Sequence, residues 1–200
     1  MDTSRKWLQF YQADVFTNEP FGGNPLAVFP DAGDLTDREF QQIAREMNLS
    51  ETVFVLPPTD PRASAKIRIF TPSQEIPFAG HPVLGTFYIL GTLKRLPLQE
   101  PVTHVFYECH LGVFPLELII LQEQIEQVVM SQPAPEFPEV VSHVETIYEL
   151  AKALGVQKSL ITDSPFPVEV VSTGLPVLIV PIRTLTAVKS MKVNHAAIQE

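Results

Sequence analysis

Short runs of alternating or continuous apolar residues dominate the chain, and this pattern predicts mainly β-strands. The predicted strands cover residues 8–15, 26–29, 52–56, 66–70, 103–107, 113–120, 125–130, 167–172 and 177–180. Helical spacing of apolar residues is less frequent. The pattern therefore predicts an α+β protein in which long strands curl around a buried helix.

Three segments have helical patterns. Thr36 and Glu39 form a capping box, in which the Thr36 hydroxyl accepts from the Glu39 backbone N–H and the Glu39 carboxylate accepts in return. Apolar residues then recur at helical spacing as far as Met47, and the pattern predicts that the helix ends at Asn48. A second box, Ser142 to Glu145, predicts a helix that ends before Gly155. The third helix, over residues 82–91, is apolar nearly all round, which indicates that it is buried.

Two ten-residue segments resemble each other and suggest an internal repeat. Residues 21–30, FGGNPLAVFP, and residues 172–181, STGLPVLIVP, each place a Gly turn before a Pro and a short apolar strand. The proline-rich stretch 132–138 lies near the junction of the two halves. Only 26 residues follow Gly174, whereas the first half takes about 55 residues to reach its buried helix. The second half is therefore expected to lack an equivalent of that helix.

Composition excludes several classes of function. The net charge is −9 and no Lys/Arg cluster occurs, which disfavours binding to nucleic acid or to an anionic membrane. Cys109 is the only cysteine, so no intrachain disulfide or thiolate metal cluster can form. No signal peptide or membrane-spanning run is evident, and we expect a cytoplasmic protein. His104, His110 and the acidic residues show no metal-ligand spacing, so we expect no metal.

His81 is the first candidate for chemistry. With Pro82 at the first helical position, His81 is predicted at the N-cap of the apolar helix, beside free backbone N–H groups and the positive end of the helix dipole. Such a place suits a substrate carboxylate or a developing oxyanion, and Gly80 would let a ligand approach the backbone. Taken alone, however, a Gly-His-Pro sequence is more often a simple helix cap.

Glu51 is the second candidate, since it stands between a helix end and an apolar strand. Burial at the entrance of a strand can raise the pKa of a carboxyl towards values useful for acid–base catalysis. Taken alone, a solvated loop glutamate is the more common situation. The Gly22-Gly23-Asn24 turn is likewise ordinary by itself, and no phosphate-binding or dinucleotide motif is present.

Taken together, these motifs resemble one family. Phe16-Thr17, the segments 20–25 (PFGGNP) and 43–52 (IAREMNLSET), and the segments 68–72 (RIFTP) and 75–82 (EIPFAGHP) match the phenazine-biosynthesis (PhzF-type) isomerases in order and spacing. The resemblance implies the diaminopimelate-epimerase fold: two pseudo-symmetric lobes, each a curled, mostly antiparallel sheet around a central helix. We expect an N-terminal lobe over residues 1–128 and a partial C-terminal lobe over residues 129–200.

The resemblance also implies a chemistry. The family is cofactor-free, and its best understood member moves a proton between ring carbons of a dihydro-hydroxyanthranilate. By motif, Glu51 would be the acid/base and His81 would assist it, while Gly80, Asn24 and Ser50 would contact the substrate. Since related epimerases use a cysteine pair, the single cysteine here excludes two-thiol chemistry. We expect that the protein needs no cofactor and that it forms a homodimer.

One departure from the family pattern leaves alternatives open. The second-lobe motif Glu-Asp-Pro-Ala-Thr-Gly-Ser-Ala, which completes the family's cleft, does not occur in this sequence. The chain could be an isomerase that shifts a proton on a small carboxylate-bearing substrate. It could instead be a truncated, catalytically impaired homologue that binds a ligand or a protein. A third possibility is a homodimer that supplies the missing wall of the cleft.

Overall fold

The computed structural model describes residues 7–198, and within this range the chain divides into two compact units, residues 7–132 and 133–198. The first unit contains eight strands and two helices. Its strands are β1 (Tyr11–Val15), β2 (Asn24–Phe29), β3 (Glu51–Leu56), β4 (Ala65–Phe70), β5 (Glu75–Ile76), β6 (Val102–Cys109), β7 (Gly112–Leu121) and β8 (Gln124–Met130). Its helices are α1 (Asp37–Met47) and α2 (Gly80–Thr92).

One curled sheet forms the first unit, with the strand order β1-β2-β3-β4-β6-β7-β8 and with β5 beside β4. The pairs β2–β3 and β4–β6 are parallel, and the other pairs are antiparallel. Helix α2 contacts β1 and β8, which stand at opposite ends of this order. The sheet therefore curls around α2, as the sequence predicts.

Both faces of the central strands are buried, which explains their continuous apolar runs. In β2, Leu26 and Val28 belong to the core around α2, whereas Ala27 and Phe29 belong to a second core beneath α1. The capping box of α1 is confirmed: Thr36 accepts from the Glu39 N–H, and Asn48 ends the helix in the left-handed conformation.

The second unit consists of a three-stranded antiparallel sheet and four helices. Its strands, in the order β11-β10-β9, are β9 (Glu136–Val141), β10 (Val168–Ser172) and β11 (Pro176–Ile179). Its helices are α3 (Val144–Leu154), α4 (Ser159–Thr162), α5 (Leu185–Ser190) and α6 (His195–Ile198). One face of this sheet packs on the helices through a small core that includes Val141, Ala151, Ile161 and Val168.

Several local predictions are wrong or incomplete. The capping box at Ser142 does not form, because α3 begins at Val144 with His143 as an N-cap that makes no side-chain hydrogen bond. The first strand starts at Tyr11 rather than at residue 8. Strand β9 arises from part of the proline-rich stretch, and Pro138 is tolerated there because β9 is an edge strand. The short elements β5, α4, α5 and α6 were not predicted.

No helix within residues 7–198 combines the length and the apolar character needed to cross a bilayer.

Candidate active site

His81 lies in the first turn of α2 rather than at its N-cap. The N-cap is Ala79, which has an extended backbone, and Gly80 and His81 already belong to the helix. Pro82 fits as the third helical residue because the N–H groups of the first turn have no intrahelical partner to lose. The predicted N-cap position of His81 is therefore wrong by two residues, although the side chain still stands at the helix N-terminus.

Glu51, the first residue of β3, lies against His81. Its Oε2 atom is 3.3 Å from His81 Nε2, and the side chains of Glu51 and His81 are only 18% and 9% exposed. Burial raises the pKa of Glu51 and lowers the pKa of His81. Both shifts favour the neutral forms, because a low-dielectric environment penalises each charge.

The close contact is not a well-directed hydrogen bond. Within the part of the chain that the structure describes, neither Glu51 Oε2 nor His81 Nε2 has a hydrogen-bond partner, even though the two atoms are within ion-pair distance. Buried polar atoms without partners are uncommon in folded proteins and occur at catalytic sites among other places. These two atoms are free to interact with a ligand, which is the arrangement that proton transfer requires.

Asn24 lies beside His81, on its Nδ1 side, and Ser50 contacts Asn24. Asn24 is the first residue of β2, and Ser50 immediately precedes β3, the parallel neighbour of β2. Ser50 Oγ donates to Asn24 Oδ1 at 3.2 Å, and Asn24 Nδ2 is 3.4 Å from His81 Nδ1. The pairing of β2 with β3 thus brings together residues that are 26 positions apart in the chain.

Gly80 leaves the N-terminus of α2 open. A Cβ atom at this position would approach only the Gln132 amide, at 3.2 Å. Ala79 makes no side-chain cap, and the first turn of α2 contains no acidic residue. The first turn of α2 therefore contains no carboxylate that would neutralise the positive end of the helix dipole. The free N–H groups next to His81 suit an anionic group.

Phe16 is a further neighbour of His81, and the sequence pattern around it indicates no role in the site. Its ring centroid is 6.4 Å from that of His81, and the residue is 73% exposed. Its backbone adopts φ 66°, in the left-handed region that non-glycine residues rarely occupy. The residues 16–17 were part of the family motif, but a positive φ at phenylalanine has no local sequence signal.

Other clusters offer less for catalysis. A broad open depression is lined by Thr59, Glu108, Cys109 and His110. The Glu108 carboxylate is held there by Lys66 and Thr59, and these hydrogen bonds lower its pKa to about 2. This carboxylate is thus a structural ion-pair partner. No group of three or more His, Cys, Asp or Glu side chains within residues 7–198 is placed to hold a metal ion.

Comparisons with known proteins identify the family of this chain. The family model of phenazine biosynthesis-like proteins (PhzC-PhzF) matches residues 13–200. The trans-2,3-dihydro-3-hydroxyanthranilate isomerase of Pseudomonas chlororaphis is 40% identical over 185 residues, which cover 92% of this chain and 61% of the relative. The chain thus spans about 61% of the length of that relative.

Two solved structures are also similar. A predicted epimerase from Pseudomonas aeruginosa has a TM-score of 0.82 and 32% identity, covering 96% of this chain and 65% of that one. A PhzF-family phenazine biosynthesis protein from Bacillus anthracis has a TM-score of 0.77 and 31% identity, covering 94% and 60%. The epimerase-like fold predicted from the sequence is confirmed, and the chain belongs to the PhzC-PhzF family of phenazine biosynthesis-like proteins.

Proposed function

We propose that this chain supplies the acid–base half of a cofactor-independent isomerase that moves a proton between carbons of a small carboxylate-bearing substrate. The observation that carries the proposal is the pair of buried, unpartnered atoms Glu51 Oε2 and His81 Nε2 at the open N-terminus of α2. The name of the Pseudomonas chlororaphis relative points to a ring substrate of the dihydro-hydroxyanthranilate type.

The chemistry follows from the geometry. Ionised Glu51 takes a proton from a substrate carbon, and the resulting Glu51 carboxylic acid returns it to another carbon, so that no proton is gained or lost overall. A raised pKa brings this carboxyl closer to the working pH, where a general acid–base group is most effective. His81 Nε2 and the first N–H groups of α2 stabilise the negative charge that develops on the substrate.

Replacement of Glu51 by Gln tests this role. In D₂O, with trans-2,3-dihydro-3-hydroxyanthranilate as the probe, we expect the rate of deuterium incorporation measured by mass spectrometry to fall by at least ~100-fold. Glu46→Gln is the matched control, since Glu46 is an exposed carboxyl on α1, and it should retain the exchange rate. Equal exchange in wild type and Glu51→Gln would exclude Glu51 as the acid/base.

A second candidate function is a binding module without turnover. The observation that favours it is the coverage of 61% of the Pseudomonas chlororaphis isomerase, together with the absence from the sequence of the Asp-Pro-Ala-Thr-Gly-Ser motif. In that case the wild-type chain binds the same compound in a calorimetric titration but incorporates no deuterium. A rate of exchange per chain that rises with protein concentration would instead support a homodimer that completes the site.

A further inference from the structure

A chain of polar contacts leads from Ser50 through Asn24 to His81 and ends at Glu51. Ser50 Oγ donates to Asn24 Oδ1, and Asn24 Nδ2 faces His81 Nδ1 at 3.4 Å. The other ring nitrogen, Nε2, faces Glu51 Oε2 at 3.3 Å. Each nitrogen of the imidazole therefore has a different neighbour. An amide NH₂ group favours an unprotonated nitrogen opposite it, whereas a carboxylate favours a protonated one.

The Asn24 amide determines which ring nitrogen carries the proton. An NH₂ group can only donate, so a Nδ1 atom that faces it must be an acceptor. A neutral imidazole with an unprotonated Nδ1 carries its single proton on Nε2. In this orientation of the amide, the Ser50 hydroxyl donates to Asn24 Oδ1.

The reversed amide would be incompatible with an ionised Glu51. The reversed amide would place Asn24 Oδ1 against His81 Nδ1, and the ring proton would then have to be on Nδ1. The Nε2 atom of His81 would carry a lone pair, which would face the lone pairs of Glu51 Oε2 at 3.3 Å. Two acceptors at that distance repel each other. The amide orientation found in the structure, with Asn24 Nδ2 towards His81 Nδ1, avoids this repulsion.

We propose that Asn24, held by Ser50, is a positioning residue that keeps His81 neutral with its proton on Nε2. His81 then acts as a hydrogen-bond donor, and Glu51 is the group that carries the transferred proton. This assignment differs from the substrate contacts expected for Asn24 and Ser50 from the sequence. Its catalytic consequence rests on the proposed function, but the position of the ring proton does not.

The surroundings of the ring agree with a neutral state. Protonation of Nδ1 would direct an N–H group against the Asn24 NH₂ group, and burial further disfavours the imidazolium. The only carboxylate within ion-pair distance of His81 in the described part of the chain is Glu51 on β3. On β1, the Asp14 carboxylate is engaged by the backbone N–H of Phe21.

Nitrogen-15 NMR of the histidine rings tests the inference without substrate. In the full chain labelled at histidine, with the His81 signals identified by their loss in His81→Gln, we expect Nε2 to be protonated and Nδ1 unprotonated near pH 7. Asn24→Asp replaces the NH₂ donor by a carboxylate oxygen. His81 should then be protonated on Nδ1 and should titrate at a higher pH than in wild type, because the carboxylate stabilises the imidazolium.

The control variants distinguish the effect of a carboxylate placed next to His81 from the effect of an added negative charge elsewhere. Asn18→Asp adds the same charge on the exposed β1–β2 connection and should leave the His81 signals as in wild type. His104 and His110, both exposed, serve as internal references. Ser50→Ala frees the amide to rotate and should produce a mixture of the two tautomers, which provides a second variant if Asn24→Asp does not fold.

Three results would overturn the inference: a wild-type His81 protonated on Nδ1, a wild-type imidazolium at pH 7, or His81 signals unchanged in both Asn24→Asp and Ser50→Ala. None of these results depends on turnover. They are therefore distinguishable from a failure of the proposed function, which would appear as unchanged deuterium exchange in Glu51→Gln.

Discussion

Burial acts in opposite directions on the pKa values of the two residues at the centre of the site. It raises the pKa of Glu51 and lowers the pKa of His81, since both side chains are largely withdrawn from water. A buried carboxylate makes the folded state less stable at neutral pH than an uncharged side chain of the same shape would. Groups tuned for chemistry often carry such a cost in stability.

Glu51→Gln is therefore expected to stabilise the fold in a pH-dependent way. Because the pKa of Glu51 is higher in the folded than in the unfolded state, wild-type stability falls as pH rises through the folded pKa. The gain in stability from Gln should be absent below about pH 4.3, where the carboxyl is also protonated in the unfolded chain. It should grow as pH rises and reach its full size above the folded pKa of Glu51. Urea denaturation at a series of pH values measures it.

The exposed Glu46→Gln is again the control and should show no comparable gain. A free-energy difference between wild type and Glu51→Gln that does not change with pH would contradict the burial argument.

At the scale of elements, the contact of α2 with the sheet depends on small residues. A Cβ atom at Gly85 would lie 2.7 Å from the side chains of both Leu26 and Val15, and one at Gly91 would overlap Ile125. Glycine inside a helix normally costs about 1 kcal/mol relative to alanine. Here the close approach of β1 and β2 explains why glycine is present.

Gly85→Ala is expected to lower the free energy of unfolding by about 1 kcal/mol. Overpacking a core costs roughly 1–3 kcal/mol, which exceeds the gain of about 1 kcal/mol in helix propensity. Thermal or urea denaturation measures the change. In the control Gly33→Ala, the new Cβ would meet only Pro57, at an ordinary 3.5 Å, so no loss is expected. A stabilised Gly85→Ala would show that the sheet can move away from α2.

At the scale of the whole molecule, the internal repeat predicted from the sequence matches two similar hairpins. Strand β11 pairs with β10 as β2 pairs with β1, antiparallel in both cases. In the aligned segments, Leu26 and Val28 correspond to Val177 and Ile179. The first two are 0% exposed beneath α2, whereas the second two are 47% and 45% exposed. The face that α2 covers in the first unit is thus uncovered in the second.

This uncovered face, which carries Val140, Val171, Val177 and Ile179 together with Glu169, is expected to promote association of the 200-residue chain. We predict that the average mass rises with concentration in size-exclusion chromatography with light scattering. The double variant Val177→Thr/Ile179→Thr keeps β-branched side chains but removes apolar surface, so it should shift the chain towards the monomer. Leu121→Thr, an exposed position of the first unit, is the control. A mass that the double variant leaves unchanged would contradict the prediction.

The sequence by itself determined what depends on local pattern. The period of apolar residues predicted most of the strands and the buried helix α2, and the capping box predicted the start of α1 because its bonds lie within four residues. The motifs of residues 16–82 identified the family and predicted Glu51 and His81 as its two principal site residues. The second capping box and the N-cap position of His81 were wrong, because a competing local geometry begins each helix elsewhere.

Only the tertiary structure decided which residues meet. Glu51 and His81 are 30 positions apart, and their contact depends on the curl that brings the start of β3 against the first turn of α2. The same holds for the Ser50–Asn24–His81 contacts and for the left-handed backbone of Phe16. Long-range pairing and the burial of individual atoms are properties of the packed sheet and helix, and it is burial that sets the pKa values on which the proposed chemistry depends.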